Sequence, residues 1–117
     1  MRGLKETDGI VGETRFSMDN IAYIAGSISN NKKYLYDFAD AEFVFKHLGY
    51  LVLSPTHIPY GLEWEEYMRI DEVLLDIADT VVFLDGWKRS KGAKMEHEWA
   101  KEKNKNIIYY KRREIIV

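Results

Sequence analysis

Two carboxylates stand out because of where their spacing puts them. Ala93, Glu96 and Ala100 fall at i, i+3 and i+7, with Trp99 alongside, so Glu96 shares a helical stripe that otherwise carries small or apolar residues. A carboxylate taken into an apolar interior without partners is costly, so its presence there needs a reason. It is either a glutamate at the stripe's edge, reaching water or Lys103, or a group held in a cleft for chemistry. Asp71 lies mid-helix between Ile70 and Val73-Leu74, flanking an apolar face. It reads as an ordinary surface aspartate or as the partner of Glu96. Two carboxylates facing one pocket suit glycosyl transfer: one attacks or stabilises an oxocarbenium-like carbon while the other handles protons or holds a hydroxyl.

Small polar residues cluster in two further places. Gly26-Ser27 and Ser29 follow a short apolar run, and a glycine there lets a ligand approach the backbone closely. Ser90 sits before the helix that carries Glu96, where it reads as an N-cap and also projects toward the same region. Gly92 and the helix N-terminus offer backbone N–H groups to anionic or polar oxygens. Neither segment has the spacing of a P-loop or of a dinucleotide-binding glycine motif. Tyr23, Trp64, Tyr67 and Trp87 are planar rings able to stack on a base, although core or rim packing is the simpler use of each. His47, His57 and His97 lack metal-ligand spacing, so no metal and no cofactor are expected.

The elements that must position these groups follow from periodicity. Ile21–Ala25, Tyr50–Leu53, Thr80–Leu84 and Asn106–Tyr110 are short apolar runs that read as buried strands. Between them lie helical stretches over about 31–48, 63–78 and 93–103. The first shows Phe38, Ala41, Phe45 and Leu48 as its inward stripe, and the second Tyr67, Ile70, Leu74 and Ile77. Alternating strands and helices predict an α/β three-layer sandwich. Its parallel sheet is Rossmann- or flavodoxin-like, with right-handed crossovers and strand order 2-1-3-4, and Ile115–Val117 is a candidate fifth strand. In such sheets ligands bind beyond the carboxyl ends of the strands at the switch point. That rule selects the loop after the first strand and the loop from Asp85 to Gly92, which contains Asp85, Trp87 and Ser90.

Composition narrows the classes. The chain has 117 residues, 17 Lys plus Arg against 19 Asp plus Glu, and no cysteine. One domain of this size buries a real core. The net charge of −2 gives no general pull toward nucleic acid or an anionic membrane. Without thiols there are no disulfides and no cysteine chemistry, which fits a cytoplasmic protein. No apolar run approaches the ~20 residues of a membrane span. Residues 1–17, with three glycines and no sustained period, read as a flexible or loosely packed lead-in to a single domain over 18–117, and Met18 is an alternative start. Lys111-Arg112-Arg113 reads as a solvated strand end.

From residue 21 to 110 the chain resembles the nucleoside 2-deoxyribosyltransferase-like superfamily. The resemblance rests on Tyr23-Ile24-Ala25-Gly26-Ser27-Ile28, Leu48-Gly49-Tyr50 with Ser54-Pro55, Asp71 with Ala78-Asp79 and Val81-Val82, and Ser90-Lys91-Gly92-Ala93-Lys94-Met95-Glu96. Gly86 to His97 looks most like small, often phage-encoded members of unassigned function. The resemblance implies Glu96 as nucleophile on C1′ and Asp71 as the group that orients the sugar and manages protons. Ser90, in the place where transferases carry Asp, together with Gly26-Ser27 leans toward hydrolases of nucleoside 5′-monophosphates, with Ser27 and Ser90 on the phosphate. Glu96-His97-Glu98 departs from the usual Glu-x-Gly. The expected ligand is a nucleoside or nucleotide, cleaved at its N-glycosidic bond or used for (deoxy)ribosyl transfer, with no nucleic-acid polymer or membrane as partner. The alternative is a non-catalytic module that senses or sequesters a nucleotide. The resemblance also implies a homodimer or larger homo-oligomer, a second subunit completing the site.

Overall fold

The computed structural model describes residues 20–29, 31–111 and 114–117. The expected lead-in over residues 1–17, Met18 and the pair Arg112-Arg113 lie outside the described residues. The elements are β1 (Ile21–Ala25), α1 (Tyr34–His47), β2 (Leu51–Leu53), α2 (Trp64–Ile77), β3 (Thr80–Leu84), α3 (Lys91–Glu102), β4 (Asn106–Lys111) and β5 (Glu114–Ile116). They form one five-stranded sheet of order β2-β1-β3-β4-β5. The first four strands are mutually parallel, and β5 returns antiparallel along β4 with Tyr110 opposite Ile115. The expected order holds, and the candidate fifth strand forms as an edge.

Alternation along the central strands builds two cores. Ala22, Ile24, Val82 and Leu84 point to one face and meet Phe38, Ala41 and Phe45 of α1. Ile21, Tyr23, Ala25, Val81 and Phe83 point to the other and meet Leu75 of α2, Ala78 just past its end and Ala100 of α3. Every residue of β1 and β3 is buried, which is why both read as continuous apolar runs rather than as alternating ones.

Two helical stripes differ from expectation. Leu48 is 55% exposed, because α1 ends at His47 and Gly49, at φ 100°, turns the chain toward β2. In α2 the inward residues are Met68, Asp71 and Leu75, whereas Ile70 and Ile77 of the expected stripe are exposed. Two apolar stripes overlap here, Met68/Leu75 continued by the C-cap Ala78, and Ile70/Val73/Ile77. Periodicity alone favours the bulkier one. The sheet accepts the other, since small Ala78 and Leu75 fit against β1 and β3 while Asp71 finds polar company from Tyr23 and Glu96. The rotation carries Asp71 from the flank of the helix to its buried face.

Candidate functional site

Glu96 sits at the middle of α3, flanked on its stripe by the buried Ala93 and Ala100, and is only 4% exposed. From β1 beneath it, the fully buried Tyr23 donates its hydroxyl proton to Glu96 Oε2 at 2.8 Å. Asp71 reaches the same spot from α2. It is 7% exposed, and its Oδ1 has no hydrogen-bond partner. Thus the interior reading of Glu96 holds, and the surface reading of Asp71 does not.

Burial sets the electrostatics. Loss of solvent raises the Asp71 carboxyl to about 6, with contacts to Glu96 and Tyr23 opposing that rise. Burial also pushes Glu96 well above the usual carboxylate range, the Asp71 charge pushes it further, and the Tyr23 hydrogen bond pulls it back. Tyr23 is held well above its ordinary value, first by burial and then by the two acids, so it stays a neutral donor. Two carboxyls facing each other away from water resist double ionisation, so they retain a proton near neutrality.

The pair opens into a cavity of about 570 Å³ at the carboxyl ends of β1 and β3. One side is built from Gly26 and Ser29 after β1, and another from Ser90, Gly92 and Ala93 at the start of α3. Ser90 caps α3, its Oγ accepting from Ala93 N at 3.1 Å. Gly92 lets α3 approach α2 closely: a Cβ there would lie 3.1 Å from Met68 Sδ. The third side is aromatic, formed by Tyr34, Tyr60, Trp64 and Tyr67. Tyr67 donates to the Pro59 carbonyl at 2.7 Å and accepts from Leu62 N at 3.3 Å, tying the loop before α2 to the helix. The Tyr34 and Tyr60 hydroxyls meet at 3.1 Å, joining that loop to α1. At its other end the loop is anchored by Thr56, whose hydroxyl donates to Glu42 at 3.2 Å.

Of the residues singled out in the sequence, Glu96, Asp71, Gly26, Ser29, Ser90 and Gly92 line this cavity. Tyr23 lies under it, hydrogen-bonded to Glu96. Three others fall outside the lining. Ser27 is buried beside it, Asp85 is exposed, and the Trp87 ring faces away. Trp87 stacks on His97 at 4.2 Å between centroids, and the His97 Nε2 meets the Tyr109 hydroxyl at 2.8 Å. With Phe83 these rings form a packed cluster beside α3 that fixes the loop leading into it. Sequence reasoning missed Tyr34, Tyr60, Arg89 and Lys91 as lining residues. The Pro59-Tyr60-Gly61 turn was the available signal for Tyr60, and the two cations flanking Ser90 were the signal for the others. Among the described residues no group of three His, Asp or Glu is placed to hold a metal ion. No described helix is long and apolar enough to cross a membrane.

Comparison with known proteins gives matches of two kinds. The family described as "Domain of unknown function (DUF4406)" matches residues 20–109. No curated protein matches the chain. Among solved structures it is similar to a 2-desoxiribosyltransferase from Leishmania mexicana, with a TM-score of 0.60 at 17% identity, over 79% of this chain and 64% of that one. The chain therefore spans somewhat under two thirds of that protein and shares its nucleoside 2-deoxyribosyltransferase-like fold.

Proposed function

The chain belongs to the DUF4406 family, and from its fold and cavity we propose that it cleaves or transfers at the N-glycosidic bond of a nucleoside or nucleoside 5′-monophosphate. The observation that carries this is the buried Glu96, held by Tyr23 and facing Asp71, whose Oδ1 has no partner, in one cavity with an aromatic wall.

In this reading Glu96, as carboxylate, attacks C1′ while the C1′–N bond breaks and its electron pair leaves with the base. Asp71 Oδ1 accepts a hydrogen bond from a sugar hydroxyl. The proton that the pair retains passes through Asp71 to the departing base, which leaves Glu96 as the attacking carboxylate, and Asp71 recovers a proton from the water that later attacks. Water, or a second base, then displaces the glycosyl ester and frees Glu96. Ser90 holds the ligand's polar end, and the tyrosine and tryptophan rings stack on the base. The homo-oligomer implied by the resemblance is part of this proposal, and sedimentation velocity measures it.

The test is incubation with a panel of nucleosides and their 5′-monophosphates, with free base measured by chromatography. Base release by wild type and its loss in Glu96→Gln are expected. No release from any compound by wild type overturns the catalytic reading. Calorimetric binding without release replaces it with a nucleotide-binding module.

A further inference from the structure

Two features of the cavity favour positive charge in its ligand. The first is a ring that already holds a cation. The Lys91 ammonium rests 4.5 Å from the centre of the Trp64 ring, and both residues line the cavity. A cation over an indole face is held by the ring's quadrupole, more firmly where water is excluded. Lys91 is an exposed side chain at the first position of α3, so it can swing into solvent when another cation takes its place. Tyr34, Tyr60 and Tyr67 bring three more aromatic rings to the same cavity.

The second feature is a buried charge that no cation offsets. With one proton between them, Asp71 and Glu96 still carry one negative charge, at 7% and 4% exposure. The groups that act on the two acids are each other and Tyr23. Neither acid enters an ion pair among the described residues. Arg89, the other cation of the lining, turns toward Gly86, where a Cβ would lie 2.6 Å from its Nη2. A buried anion without a partner is costly, so a ligand that brings its own positive charge is favoured here as well.

We propose that the cavity selects nucleosides whose base is itself a cation, a pyridinium or an N-alkylated purine, with the charged ring displacing the Lys91 ammonium from Trp64. This rests on the glycosidic reading of the site and names its substrate class. The chemistry suits the acid pair. As Glu96 bonds to C1′, the C1′–N bond breaks and its electron pair neutralises the ring nitrogen. The base departs neutral and takes no proton. Water then displaces the glycosyl ester, Glu96 is freed as carboxylate, and the water's proton passes through Asp71 to solvent. The positive charge of the substrate ends as that proton.

Calorimetry on the full chain compares 1-methylnicotinamide, a permanent cation, with 3-methylbenzamide, in which carbon replaces the charged nitrogen. Wild type binds the cation about tenfold more tightly. Trp64→Leu lowers that preference about tenfold, Trp64→Phe lowers it less, and Lys91→Met raises it by removing the competing ammonium. Equal affinities in wild type, no detectable binding of either compound, or a preference that Trp64→Leu leaves intact overturns the inference. Base release separates this inference from the wider reading. Nicotinamide is expected to leave nicotinamide riboside faster than any neutral base leaves its nucleoside. Release from neutral nucleosides without a cation preference keeps the glycosidic reading and removes this one. Cation preference without release from any nucleoside removes the glycosidic reading and keeps cation recognition.

Discussion

Replacing Asp71 by asparagine tests the electrostatic account of the site without needing a substrate. The carboxyl sits at about 6 in the folded protein against an ordinary 3.8, because burial disfavours its charge. A carboxyl whose folded value is raised binds its proton more tightly when folded. Its stability contribution is therefore intact below the unfolded value and is lost as pH rises through the folded value. At about 1.4 kcal/mol per pH unit, the rise corresponds to a cost of about 3 kcal/mol once both states are ionised. The amide is isosteric and carries no such cost. Urea denaturation of both proteins, from about pH 4 to about pH 8, measures the difference. The Asp71→Asn variant is expected to be nearly neutral at the acid end and more stable by about 3 kcal/mol at the alkaline end, most of the change falling below about pH 7. A difference that stays flat with pH, or that turns against the variant as pH rises, would refute the reasoning, since Asp71 would then be ionised at no cost.

Further variants probe the remaining contacts. Tyr23→Phe removes the donor to Glu96 Oε2, so Glu96 rises further, and the acid limb of any base-release pH profile moves to higher pH with folding largely preserved. An unmoved limb would show that Tyr23 does not act through Glu96. Gly86→Ala places a Cβ at φ 87° and against the Arg89 guanidinium, so a loss of about 1–2 kcal/mol is expected in denaturant unfolding. Trp87→Ala removes the ring stacked on His97 and loosens the loop that delivers Arg89 and Ser90. Faster amide exchange across residues 86–92 checks this, and unchanged protection would mean that the stack does not hold the loop.

Particular residues show how far the sequence can be read. Glu96 is legible because α3 has one clear stripe, and a carboxylate between Ala93 and Ala100 has nowhere to point but inward. Asp71 is legible only as a candidate, because α2 offers two apolar stripes a single rotation apart. Trp87 reads in the sequence as a ring available to a ligand, and in the fold it packs on His97 and Tyr109, neither of them its neighbour in the chain. Tyr34 and Tyr60 give almost no signal, since an aromatic residue near a helix start or in a loop has many uses until the other appears across a cavity.

By itself, then, the sequence determined the alternating elements, the parallel order at the sheet's centre, the two loops at the switch point and the acid on α3. Each of these is written in local period and in the burial demanded of continuous apolar runs. The tertiary structure alone decided which face of α2 turns inward, that Tyr23 supports Glu96, and that Asp71 keeps an unpartnered oxygen. It also decided that Arg89 and Lys91, without an ion pair among the described residues, line the same cavity as the two acids. Those facts depend on distances between residues well separated in the chain. They are settled when helices and strands compete for the same packed volume, and no local pattern encodes that competition.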